Sequence, residues 1–92
     1  MIKEKRNEEI NIGNGGLIYR MTKGEKQGVA VYGIEVECSL FGTYDITRVY
    51  DISTDSKIVK ELLHILADYL VTPCSVRYVV EDYMEEKLNL EL

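Results

Sequence analysis

Ninety-two residues with 46% hydrophobic and 29% charged side chains describe one small globular domain, and exclude both a disordered chain and two domains with separate cores. No stretch approaches the ~20 consecutive apolar residues of a membrane-spanning helix. The net charge of −5 is uneven: residues 1–28 carry six basic and four acidic side chains (+2), and residues 29–92 five basic and twelve acidic (−7). An acidic body repels phosphates, so direct binding of DNA or RNA is disfavoured unless the basic arm acts alone.

The start, Met1 to Arg6, has charge but no apolar run behind it, so it does not read as a signal peptide. Two cysteines, Cys38 and Cys74, stand outside any C-x-x-C pair and fit a reducing cytosol, which makes the expected location cytoplasmic. Residues 1–12 alternate charge with Ile2, Ile10 and Ile12, a weak edge strand or an arm. Asn11 to Gly16 reads as a turn. Leu17, Tyr19 and Met21 then alternate with Ile18, Arg20 and Thr22 as a strand with one apolar face, and Lys23 to Gly28 reads as a hairpin loop.

Val29 to Leu40 gives the clearest strand. Ala30, Tyr32, Ile34, Val36, Cys38 and Leu40 form its apolar side, with Glu35 and Glu37 on the other. Phe41-Gly42-Thr43 turns the chain. In the following strand Tyr44, Ile46, Tyr50 and Ile52 are expected to face inward, with Arg48 as the odd member, and Asp45, Thr47, Val49 and Asp51 outward.

At Ser53-Thr54-Asp55-Ser56 the apolar period changes from two to 3.6, and these are helix-capping residue types. Helix one is expected over 54–71, with Ile58, Val59, Leu62, Leu63, Ile65, Leu66, Tyr69 and Leu70 on its apolar arc. Thr72-Pro73 ends it and starts helix two over 72–87, with Thr72 as cap and Pro73 in the first helical position. Val76, Val79, Val80, Tyr83, Met84 and Leu88 are its expected apolar stripe. Residues 88–92 form an apolar tail in which Leu88, Leu90 and Leu92 alternate with Asn89 and Glu91. The fold that follows is α+β: an antiparallel meander of three or four strands over 13–53, then two helices packed on one face of the sheet.

The run Val31-Tyr32-Gly33-Ile34-Glu35-Val36-Glu37, the Ser53-Thr54-Asp55 helix start, and Val71-Thr72-Pro73 leading to Val80-Glu81-Asp82 resemble a family of short bacterial proteins of unknown function, found mostly in clostridia. The likeness covers residues 29–86. It implies a bacterial, cytoplasmic, stand-alone protein and transfers no catalytic residue.

The search for chemistry returns little. The glycines match neither G-x-G-x-x-G nor a phosphate loop, and strands rather than helices follow them. His64 is the sole histidine. A metal would have to rely on Glu35, Glu37, Asp45 and Asp51 on the outer sheet face, where a solvated acidic surface beside Arg48 is the plainer account. Cys74, in the first turn of helix two, has the position of a reactive thiolate but no base except His64 on another helix. Tyr32, Tyr44 and Tyr50 read as core residues rather than a base-stacking platform.

The expectation is therefore a non-enzymatic protein–protein interaction domain without cofactor or metal, whose partner is another protein or a second copy as a homodimer. Its contact residues are expected to be Tyr78, Glu81, Asp82, Glu85, Glu86, Leu88, Leu90 and Leu92. The alternative is an acidic decoy that masks a basic nucleic-acid-binding surface on a target. A thiol sensor or enzyme using Cys74 is a third reading.

Overall fold

The computed structural model describes residues 5–12, 16–40 and 42–91, with the side chains of 5–8 and 89–91 left aside. Four strands, β1 (Lys5–Ile12), β2 (Leu17–Lys26), β3 (Val29–Cys38) and β4 (Asp45–Ser53), precede two helices, α1 (Ser56–Asp68) and α2 (Pro73–Glu91). The sheet is antiparallel in the order β1-β2-β3-β4, so each strand pairs with its neighbour in sequence. This is the expected α+β meander covered by two helices.

The core lies between one sheet face and the helices. Leu17, Tyr19 and Met21 of β2 and Ile34 and Val36 of β3 meet Val59, Leu62, Leu63 and Leu66 of α1 and Val76 and Val80 of α2 in one buried cluster. The Tyr19 hydroxyl, fully buried with its ring, donates to the Val71 carbonyl at 3.0 Å and ties the connection between the helices to the sheet. Asp55 is the N-cap of α1, its carboxylate accepting from the Lys57 N–H at 2.9 Å. Pro73 opens α2, where a missing N–H costs nothing.

Several local expectations change. β2 does not loop at Lys23 but runs to Lys26, paired with Val29, so Gln27 and Gly28 alone make the turn. Their φ values of 52° and 79° are both positive, as a type I′ hairpin turn requires. α2 runs through Glu91, so the tail from Leu88 is helical in backbone rather than extended. Leu92, Phe41 and the turn residues 13–15 lie outside the described residues.

Up to Val49, β4 has the opposite phase from its apolar pattern, whereas Ile52, beyond a bulge, packs against the core as expected. Ile34 pairs with Val49 and Val36 with Thr47, which sends Val49 inward against the core and puts Ile46 and Arg48 on the outer face, opposite Glu37 and Glu35. Tyr44 and Tyr50, expected inside, are 65% and 44% exposed. A shift of one residue exchanges every side chain between faces, and the register is set here by pairing with β3. Beyond Val49 the ladder resumes only at Tyr32–Ser53, so three residues, Tyr50–Ile52, oppose Gly33 alone. Asp51 takes a left-handed φ of 56° in this bulge.

Candidate functional site

The outer face of the sheet is where the structure first departs from an ordinary wet surface. Arg20 and Glu35 point away from the helices, yet they are 7% and 3% exposed. Arg20 donates from Nε to Glu9 at 2.9 Å and from Nη1 to Glu35 at 2.8 Å and to Glu37 at 3.0 Å. Arg48 holds the other oxygen of Glu35 from Nε at 2.8 Å. Burial works against the charged form of Arg20, but its bonds to Glu9, Glu37 and Glu35 outweigh that and raise its pKa. This network links all four strands and leaves Glu35 bridging two guanidinium groups. Such an arrangement is a structural clamp: both carboxylate oxygens of Glu35 are engaged.

The four carboxylates considered for a cation do not converge. Glu35 and Glu37 belong to the clamp, while Asp45 pairs in register with Cys38 and Asp51 with its carboxylate reaches Lys26 at 2.9 Å. Among the described residues no group of three His, Cys, Asp or Glu side chains could hold a metal ion.

Cys38 and Cys74 are both free thiols, Cys38 partly buried against the core and Cys74 exposed. Cys74 Sγ stands 3.3 Å from Thr72 Oγ1 and 3.9 Å from Ser75 Oγ. The Thr72 hydroxyl first, then Ser75, lowers its pKa by stabilising the thiolate, while burial and Asp45 act against them. His64 is exposed on α1.

The apolar surface is arranged differently from the expectation. Tyr69 and Leu70, assigned to the buried arc of the first helix, are 78% and 53% exposed, and Ala67 is buried instead. The reason is the way α1 ends. Leu70 N–H donates to the Ala67 carbonyl at 3.2 Å and Val71 N–H to the Leu66 carbonyl at 3.0 Å, the two bonds of a Schellman motif. Leu70 occupies the left-handed position at φ 52°, where glycine is usual, and this turns Tyr69 and Leu70 out while Val71 packs back on the core.

On α2, Tyr78 is 68% exposed and Glu81, Asp82, Glu85 and Glu86 are all exposed, as expected. Leu88, placed at the end of the apolar stripe, is 63% exposed because it sits about 100° round the helix from the buried line of Val76, Val80 and Tyr83. Lys87 lies there instead, 5.6 Å above the Tyr83 ring. The side chains of Leu90 and Leu92 lie outside the described residues. Tyr69 and Leu70 join Tyr44 and Tyr50 as surface residues that sequence reasoning missed, and no glycine marks the bend that exposes them.

The edges of the sheet are poorly suited to strand addition. On β4 the Ile46 N–H is taken by Asp45 Oδ1 at 3.0 Å and the Arg48 carbonyl by Arg77 Nη2 at 3.5 Å, and the bulge follows. β1 carries a register shift between Arg6 and Glu8.

The model of a family of unknown function, DUF6514, matches residues 1–86. The chain belongs to that family. The match takes in β1 and most of α2, a longer span than the resemblance over 29–86, so the edge strand and the Arg20 partner Glu9 belong to the DUF6514 domain. No curated protein and no solved structure matches the chain. None of the described helices is long and apolar enough to cross a membrane.

Proposed function

We propose that this chain is a non-enzymatic interaction domain of the bacterial cytoplasm that docks on another protein, or on a second copy, through the corner formed by Tyr69 and Leu70. The observation that carries the reading is the backbone of Leu70. A non-glycine residue in the left-handed region costs ~1–2 kcal/mol. Here the cost leaves the side chain more than half exposed, at 53%, beside a Tyr69 that is 78% exposed. A leucine at a position that usually takes glycine supports a role for its side chain outside the chain. Tyrosine is among the residues enriched at interface hot spots. The two free thiols suit a reducing compartment.

The test is light scattering of the pure protein together with capture from a lysate of its own organism, using the wild type and a Tyr69→Ser/Leu70→Gly variant. The reading expects a dimer or a captured partner that the variant loses while remaining folded. A monomer that captures nothing, or a variant that behaves as the wild type does, overturns it. The acidic decoy is a second reading, favoured by the four exposed carboxylates of α2, and capture that vanishes at high salt while surviving the corner substitutions would select it.

A further inference from the structure

A second exposed surface lies on the outer side of α2. At about 100° per residue, Tyr78, Glu81, Asp82 and Glu85 fall within one stripe, with Glu86 and Leu88 at its two margins. Tyr78 and Leu88, at 68% and 63% exposure, are separated by ten positions, about 15 Å along the axis. Among the described residues no cation lies within ion-pair distance of Glu81, Asp82, Glu85 or Glu86. The cations of α2 itself are turned elsewhere: Arg77 to the Arg48 carbonyl at 3.5 Å, and Lys87 to Glu61 at 3.8 Å and the Tyr83 ring.

Two features of this face go beyond a solvated acidic surface. Glu81–Glu85 and Asp82–Glu86 are like-charge pairs at i,i+4 spacing, which destabilise a helix. Tyr78 precedes and Leu88 follows these pairs along the helix, so the charge lies between two exposed apolar contacts instead of replacing them. We propose that this face docks a cationic amphipathic segment of a partner protein, lysines or arginines flanking apolar side chains, laid along α2. The proposal rests on the interaction reading above and names the chemistry of the partner. A neutral apolar partner would desolvate four carboxylates without pairing them, and a nucleic acid would be repelled.

The test is fluorescence anisotropy of the full chain with a labelled lysine–leucine helical peptide of about 15 residues, long enough to span both apolar contacts. Comparators are a scrambled peptide of the same composition and a glutamate-for-lysine peptide. The amphipathic peptide is expected to bind about tenfold more tightly than the scrambled one, and Tyr78→Ala and Glu81→Gln/Glu85→Gln each to weaken it about tenfold. Glu25→Gln, an exposed carboxylate at the far end of β2, is expected to change nothing. No binding, equal binding of the scrambled peptide, or indifference to Tyr78→Ala overturns the proposal. If those results accompany capture that still depends on Tyr69 and Leu70, this proposal fails alone; if capture ignores the corner, the earlier reading fails.

Discussion

Lys26 Nζ lies 2.9 Å from Asp51 Oδ2, an ion pair that joins β2 to β4 across the strand between them. It forms because the bulged end of β4 climbs over the outer side of β3 at Gly33. A Cβ built on Gly33 would strike the Val49 carbonyl and come within 2.9 Å of both Tyr50 Cα and Thr22 Oγ1. Under this crossing Val31 and Thr22 are buried on a face that no helix covers. The ion pair is a consequence of the crossing and not its cause, since both partners are more than a third exposed and such pairs contribute ~0–1 kcal/mol. Gly33→Ala should cost about 2–3 kcal/mol by forcing backbone apart, and Lys26→Met under 1 kcal/mol. Urea midpoints of the two variants check the order, and a Gly33→Ala protein as stable as wild type would refute the close approach.

The Arg20 clamp makes a prediction of opposite kind for single and double changes. Arg20→Met takes from Glu35, whose side chain is 4% exposed, one of its two guanidinium partners, and should cost about 3–5 kcal/mol. Arg20→Met combined with Glu35→Leu should recover most of that loss, because an apolar pair of similar volume needs no compensating charge. Denaturation of both variants measures the coupling. A double variant no better than the single would show that neighbours other than Glu35 dominate.

Leu70→Gly should raise stability by about 0.5–1 kcal/mol, the left-handed penalty relieved less the entropy glycine adds to the unfolded chain. The same substitution should weaken partner capture. Gain in melting temperature with loss of binding is the signature of a residue retained for contact. A fall in stability would mean that the leucine side chain contributes more packing than its exposure suggests.

Alkaline pH should lower stability before it reaches the pH at which Tyr19 and Tyr83 ionise in the folded chain. Tyr83 is pushed up to about 12, first by burial and then by the Glu61 carboxylate, and burial also raises Tyr19, with Cys38 adding to it. A raised acid leaves stability intact below the unfolded value of 10.0; above it the unfolded chain releases protons that the folded chain retains, so stability falls from there towards pH 12. The Tyr83 hydroxyl also finds no hydrogen-bond partner among the described residues. Tyr83→Phe should therefore flatten the alkaline decline and lose nothing at neutral pH, which thermal melts across this range would register.

Thiol chemistry should separate the two cysteines. Cys74 is exposed with a lowered pKa, whereas Cys38 packs partly against the core. Iodoacetamide at neutral pH should label Cys74 well before Cys38, and Thr72→Val should slow it. Equal labelling of both would indicate that the β3 end opens in solution.

The helices and the β2–β3 pair were legible because their signals are local: Asp55 and Pro73 punctuate, and Leu17-Tyr19-Met21 alternates against Ile34 and Val36. β4 was not legible. Its phase depends on pairing with β3 and on the bulge opposite Gly33, and its apolar residues fall on both faces; Arg48, the charge that did not fit an inward set, was the clue. The surface formed by Tyr69 and Leu70 was hidden for another reason. A helix that ends on a left-handed leucine carries no glycine to announce it, so the apolar period continues in sequence past the point where the backbone stops following it. Tyr78 and the acidic residues of α2 were legible because they interrupt the period instead of extending it.

The order of the elements governs how the chain must leave the ribosome. All four strands precede both helices, and every strand pairs with the one just made, so the sheet can assemble during synthesis from short-range contacts and a two-residue turn. Until residues 56–80 emerge, that sheet presents Leu17, Tyr19, Met21, Ile34 and Val36 to water with nothing over them. The nascent chain thus passes through a stage as an uncovered half-structure. A premature stop before α1 would yield a sticky fragment rather than a smaller version of the domain.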